Sequence, residues 1–187
     1  MGLKKASAVL ALLTILALLV HVGYSVFCYL TSYYNPMLKM LTAAPVIVCA
    51  CLHAVAGMCS VFLLGDGTRV APYWRQNRRT IIQRVSAALI FPLLIVHLNT
   101  FNILKDTSQS GAWPVFGLVL LAQVAFYAVV ALHVATSFSR ALITLGLLTS
   151  KETQARIDRI VYVVCTCLFL VAAFVVVRGQ LGMFVFA

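Results

Sequence analysis

Acidic residues are nearly absent from this sequence. Of its 187 residues only four are Asp or Glu, against fourteen Lys or Arg, for a net charge of +10. Charge of either sign is scarce, at 10% of residues, where an ordinary soluble domain carries about 25%. There is no soluble domain, linker or low-complexity stretch. These shortages exclude a soluble enzyme, a disordered tail and a typical nucleic-acid-binding domain, because a soluble surface needs polar residues to cover it. What the chain has is apolar mass, with 63% of residues hydrophobic. That composition predicts an integral membrane protein whose basic excess is placed by topology.

A membrane-spanning helix needs about 20 mostly apolar residues. Five stretches qualify, at 6–30, 44–64, 80–104, 113–138 and 159–182. They are continuously apolar rather than alternating, which argues against a closed β-barrel. The first follows Lys4 and Lys5 as a signal peptide would, but it runs on through His21 to Leu30 without a small-x-small cleavage pattern, so an uncleaved span is expected. The expected fold is all-α: a single membrane domain over 1–187, built as a five-helix bundle. Polar connections are expected at 31–43, 65–79, 105–112 and 139–158, the last beginning with a helical extension.

Even alternation of the spans collects Lys4, Lys5, Arg69, Arg75, Arg78, Arg79, Arg84, Arg140, Lys151, Arg156 and Arg159 on one side. Only Lys39, Lys105 and Arg178 fall on the other. The positive-inside rule then predicts a cytoplasmic N-terminus and an external C-terminus. The basic run 69–84 is accounted for by topology alone, or by docking of an acidic partner subunit or anionic lipid. No folded module remains to bind nucleic acid.

The four histidines, His21, His53, His97 and His133, fall one on each of the first four spans, and the loops hold none. Ionisable residues inside membrane spans are costly and usually functional. A single such histidine is often a hydrogen-bonding core residue, but one on each of four helices is harder to explain that way. At 1.5 Å rise per residue, His21 and His97 lie roughly 22 and 25 Å from the cytoplasmic starts of their helices. His53 and His133 lie roughly 16 and 10 Å from the cytoplasmic ends of theirs. Two histidines therefore share an outer layer and two an inner layer. A facing pair of neutral imidazoles fills both axial positions of a haem iron and favours electron transfer over oxygen binding. Zinc, the competing metal, prefers three or four ligands at one depth, usually with carboxylate or thiolate help. Small residues near the ligands, Gly57, Gly23, Ala135 and Ser137, would let a macrocycle approach the helices.

The segment 83–97, Gln-Arg-Val-Ser-Ala-Ala-Leu-Ile-Phe-Pro-Leu-Leu-Ile-Val-His, resembles the Gln-Arg-Val-Thr/Ser-Gly…His signature of the cytochrome b subunits of succinate dehydrogenase and fumarate reductase. Leu-His-Ala-Val-Ala-Gly at 52–57 resembles their second-helix haem motif, and the stretch from His133 through Ser139 and Gly146 resembles their fourth helix and its exit. Five spans with a histidine on each of the first four are similar to the di-haem, single-subunit anchor type. The likeness covers nearly the whole chain, through the order and spacing of loose local motifs. It implies two b haems, the proximal held by His53 and His133 and the distal by His21 and His97. It also implies a bacterial cytoplasmic membrane and an iron–sulfur subunit docked on the cytoplasmic face, itself carrying a flavoprotein. Menaquinone is the implied redox partner. The departures are Ala87, where the family often has Gly, and Ser137, where a Gly often follows the fourth-helix His. No carboxylate stands mid-helix, since Asp66, Asp106, Glu152 and Asp158 fall outside or at the edges of the spans. A carboxylate-based transmembrane proton pathway is therefore not expected.

Arg84 and Ser86 are read as a haem-propionate or quinone-carbonyl contact, or else as an interfacial arginine and a helix-stabilising serine. Arg75 and Arg140 are further candidates for propionate or subunit contacts, and Lys39, Lys105 or Arg178 for a distal propionate. Tyr24, Tyr33, Tyr34 and Trp113 fit an aromatic interfacial belt. Asn99 and Asn102, within about two turns of His97, are candidate quinone donors. The six cysteines lie in or at the ends of spans as small apolar residues, with no Cys-x-x-Cys-His for covalent haem and no ferredoxin pattern. Pro92 is expected to kink the third span before His97. Two other readings are open. The same haem arrangement would serve another quinone-linked flavoprotein reductase, a hydrogenase or a formate dehydrogenase. A haem-free transporter or scaffold would use the histidines as polar glue between helices.

Overall fold

The computed structural model describes residues 2–63 and 74–186, with the backbone alone for 74–76. Asp66, Arg69 and Pro72, and the side chain of Arg75, therefore lie outside the described residues. Five helices follow one another: α1 (Leu3–Thr31), α2 (Pro36–Phe62), α3 (Trp74–Ser110), α4 (Trp113–Thr144) and α5 (Lys151–Phe184). Each is long and apolar enough to cross a membrane, a multi-pass architecture. Large apolar side chains such as Leu16, Val48, Ile95, Leu121 and Phe174 stand exposed along the bundle, as lipid-facing surface requires.

The helices overrun the apolar stretches that announce them. The 37 residues of α3 make a rod of about 55 Å, against a hydrocarbon core of about 30 Å. Most of the expected connection 31–43 is helical, because Asn35 caps α2. Its Oδ1 accepts from the backbone N–H groups of Met37 and Leu38, at 3.0 and 3.2 Å, and Pro36 supplies the first helical position. The helix α3 continues through 105–110 and α4 to Thr144, and both stop on glycine. Gly111 and Gly146 take φ of +70° and +78°. Beyond them Ala112 N–H reaches Thr107 O and Leu147 N–H reaches Leu142 O, both at 2.9 Å, the six-to-one bonds of a left-handed helix stop. The helices α2 and α3 run unbroken through Pro45 and Pro92.

Two antiparallel hairpins, α1–α2 and α3–α4, join along α1 and α4. The fifth helix packs on α4 and α1 and touches the edge of α3. Among the described residues, α2 and α3 make no close backbone approach, nor do the diagonal pairs α1–α3 and α2–α4. The four-helix part is thus a ring with one open side.

Each end has its own closure. At the end holding the start of α3 and the end of α4, Arg79 forms a bidentate pair with Asp158 of α5, at 2.6 and 2.7 Å. Two further donors meet Thr136 O and Ser139 Oγ, both at 2.9 Å. One guanidinium therefore fastens three helices where the cations gather (the basic end). At the opposite end Leu104, Phe116 and Val119 form an apolar core with Phe184 packed against it. The Phe184 ring meets Phe101 edge-on at 5.3 Å. There Tyr24 also latches the α1–α2 turn: its hydroxyl donates to Asn35 O at 2.9 Å and accepts from Asn35 N–H at 3.2 Å.

Candidate functional site

Near the basic end, His53 of α2 directs Nδ1 at the Ser7 carbonyl of α1, 2.9 Å away, with Ser7 Oγ at 3.2 Å. The hairpin α3–α4 repeats the arrangement. His133 of α4 directs Nδ1 at the Gln83 carbonyl of α3 and at Ser86 Oγ, both at 3.1 Å. A backbone carbonyl only accepts, so Nδ1 carries the proton in both rings and Nε2 keeps its lone pair. His53 and His133 lie within electrostatic reach of one another across the α2–α4 diagonal.

Further along, His21 of α1 and His97 of α3 lie within electrostatic reach of one another across the α1–α3 diagonal. His21 Nδ1 meets Thr42 Oγ1 of α2 at 3.4 Å. That hydroxyl donates to the carbonyls of Leu38 and Lys39, both 3.0 Å away, which leaves it free to accept from the ring. His97 Nδ1 meets the Gln123 amide of α4, with Nε2 at 2.8 Å and Oε1 at 3.2 Å. Phe126 stacks on the His97 ring, centroids 4.8 Å apart, and Tyr127 meets its edge.

Every histidine is thus oriented by the other helix of its own hairpin, and each lies within electrostatic reach of a histidine of the other hairpin. All four use Nδ1 for the protein. Among the described residues no hydrogen bond reaches any of the four Nε2 atoms, and the one deeply buried side-chain acceptor left without a partner is Gln180 Oε1. The Nε2 atoms therefore open on accessible space. A Cβ added to Gly57, one turn from His53, would meet nothing within 4 Å, so this glycine borders open space and marks no tight helix contact.

This donor set suits a planar group ligated on both faces. It offers two imidazole Nε2 atoms per layer, and a second partner at Nδ1 orients each ring, as in metal-bound imidazoles. It does not suit zinc, because no three His, Cys, Asp or Glu side chains gather among the described residues.

Ser86 is 3% exposed and its hydroxyl serves His133 and the Gln83 carbonyl. Arg84 is half-buried near the start of α3, and both it and Arg79 lie within electrostatic reach of Arg140. Arg140 donates to Gln83 Oε1 at 3.0 Å. Lys39 acts electrostatically on both His21 and His97, and its ammonium sits 5.6 Å from the Tyr34 ring centroid. Lys105 on α3 and Arg178 on α5 are both exposed. Asn99 and Asn102 are exposed on α3, and Asn99 Nδ2 donates back to Ile95 O at 2.8 Å. Ser7, Thr42, Gln123 and the Arg79–Asp158 pair escaped the sequence reading. Antiparallel register gave a usable signal for Ser7, Thr42 and Gln123, since a residue facing a histidine across a short-looped hairpin lies at a calculable depth.

Comparison with protein families, curated proteins and solved structures finds no match to this chain.

Proposed function

We propose that the chain is the membrane anchor and electron-transfer subunit of a succinate:quinone oxidoreductase or quinol:fumarate reductase, carrying two bis-histidine b haems. One observation supports this above the others. Four intramembrane imidazoles each spend Nδ1 on a neighbouring helix, keep Nε2 open, and fall into two pairs within electrostatic reach across diagonals where no backbones meet. The Nδ1 bonds alone would also serve haem-free polar glue between helices; the open Nε2 atoms are what favour the haem reading.

In this reading His53 and His133 hold the iron nearer the basic end, and His21 and His97 hold the other. Bound haems supply two one-electron carriers spaced along the bundle axis. The protein's own groups hold and tune them. The carbonyls of Ser7 and Gln83 strengthen the electron donation of the inner ligands by accepting from Nδ1–H. Arg84 and Arg140 at one level, and Lys39 at the other, provide positive charge for the carboxylate groups of the macrocycles. The cationic face, cytoplasmic by the positive-inside rule, would dock the iron–sulfur subunit that carries the flavoprotein, and menaquinone in the bilayer would exchange electrons with the haems.

The deciding experiment is to purify the chain in detergent from haem-sufficient cells and measure its spectrum and haem content. Two non-covalent b haems per chain are expected. A folded chain without b-type absorption bands would falsify the proposal, and co-purification with a partner other than a flavoprotein and an iron–sulfur protein would reassign the complex.

A further inference from the structure

We infer that Gln123 is the positioning residue of the outer pair, and that its amide sets the tautomer of His97 and through it the potential of the outer haem. The inference rests on the haem reading above and concerns a residue that no haem or quinone need touch.

Gln123 is 3% exposed in the middle of α4. Such burial demands that both ends of the amide be satisfied. Oε1 accepts from Thr100 Oγ1 at 2.9 Å and Nε2 donates to the Tyr127 hydroxyl. Between these bonds, the amide presents both of its atoms to His97 Nδ1. As it stands, an Nε2 proton points at Nδ1, which suits a ring protonated on Nε2. Ligation through Nε2 moves the ring proton to Nδ1, and an amide oxygen must then face it.

The surroundings permit that reversal. Thr100 has a second acceptor for its own proton, Val96 O at 2.8 Å, so its oxygen is able to accept from the amide nitrogen instead. The Tyr127 hydroxyl is likewise able to donate to the amide oxygen in place of accepting. Both flanking partners work in either sense, so the Gln123 amide is satisfied either way up. Ser7 O and Gln83 O have no such freedom, because carbonyls only accept. The inner ligands are held in the ligating tautomer in advance, and the outer ligand His97 reaches it by turning an amide.

Once ligated, His97 shares its Nδ1 proton with a neutral amide oxygen. A stronger acceptor there gives the ring more imidazolate character and favours ferric iron; a missing acceptor does the reverse.

The test compares haem-loaded wild-type chain, Gln123→Glu and Gln123→Leu by redox titration of the b-type bands, with electron paramagnetic resonance of the ferric state. One of two midpoint potentials is expected to fall in Gln123→Glu and to rise in Gln123→Leu, while the other stays in place in both. The low-spin ferric signal of that same haem should change alone. Unmoved potentials in both variants, or shifts of one sign such as packing damage produces, overturn the inference and leave the haem reading standing. A wild-type chain that takes up no haem overturns both. If either variant fails to load the outer site, Tyr127→Phe carries the test without adding charge: movement of the same single potential supports the inference and constancy overturns it.

Discussion

The Nδ1 atom of His133 lies 3.1 Å from the backbone carbonyl oxygen of Gln83, fifty residues earlier in the chain. His53 bears the same relation to the Ser7 carbonyl in the other hairpin. A carbonyl cannot be removed by substituting a side chain, so this end of the site is insulated from mutation in a way the other end is not.

That asymmetry predicts how side-chain changes read out. Ser86→Ala and Ser7→Ala keep the carbonyl acceptors and should keep both haems, with the inner affinity falling less than about tenfold. Thr42→Val removes the one Nδ1 partner of His21 and should weaken the outer site by about 10–100-fold. Haem titration of the apo chains measures both effects.

Preorganisation also sets the order of filling. With the inner histidines already in the ligating tautomer, sub-stoichiometric haem should enter the inner site first. His133→Ala should then abolish the first-filling component and His97→Ala the second. Stepwise titration, following the split of the b-type absorption band, distinguishes the two.

Arg79 and Asp158 fasten α3 and α4 to the start of α5. Asp158→Ala leaves a partly buried guanidinium without its carboxylate and should cost about 1.5–3 kcal/mol. Asp158→Asn should recover part of that loss. Thermal unfolding in detergent gives the comparison, and haem potentials should stay in place because neither residue touches a histidine.

Helices α1 and α5 approach closely where the Tyr29 ring rests on Gly179. Gly179→Ala would force a methyl into that ring and displace the Tyr29 hydroxyl from Gln180, its partner at 3.4 Å. Destabilisation of about 1–3 kcal/mol is expected. Combining Gly179→Ala with Tyr29→Ala should cost less than the sum of the two, a coupling read from a double-mutant cycle.

Much of the architecture was legible because membrane helices advertise themselves. Four of the five apolar runs lie wholly within a helix, and the run 44–64 overlaps α2 as far as Phe62, where that helix ends. The misjudged boundaries, as at Pro36 and Ser110, were those where a helix continues past its apolar stretch and capping chemistry decides its end. Depth along the axis was legible too. Counting residues grouped His21 with His97 and His53 with His133, and these pairs are the ones in electrostatic reach. Ser86 reads from the sequence as a haem-propionate or quinone contact or else as a helix-stabilising serine; its hydroxyl donates to Gln83 O and also lies 3.1 Å from His133 Nδ1, a neighbour that only packing reveals.

By itself the sequence determined the solvent, the number of spans and the axial level of each histidine, because composition and a fixed rise per residue are properties of the chain alone. Only the tertiary structure decided which helices stand diagonally, which nitrogen of each ring the protein takes, and that Gln123 lies against His97. Those depend on the rotation of each helix about its axis and on hairpin register. Both are set by packing against neighbours that no single stretch of sequence contains.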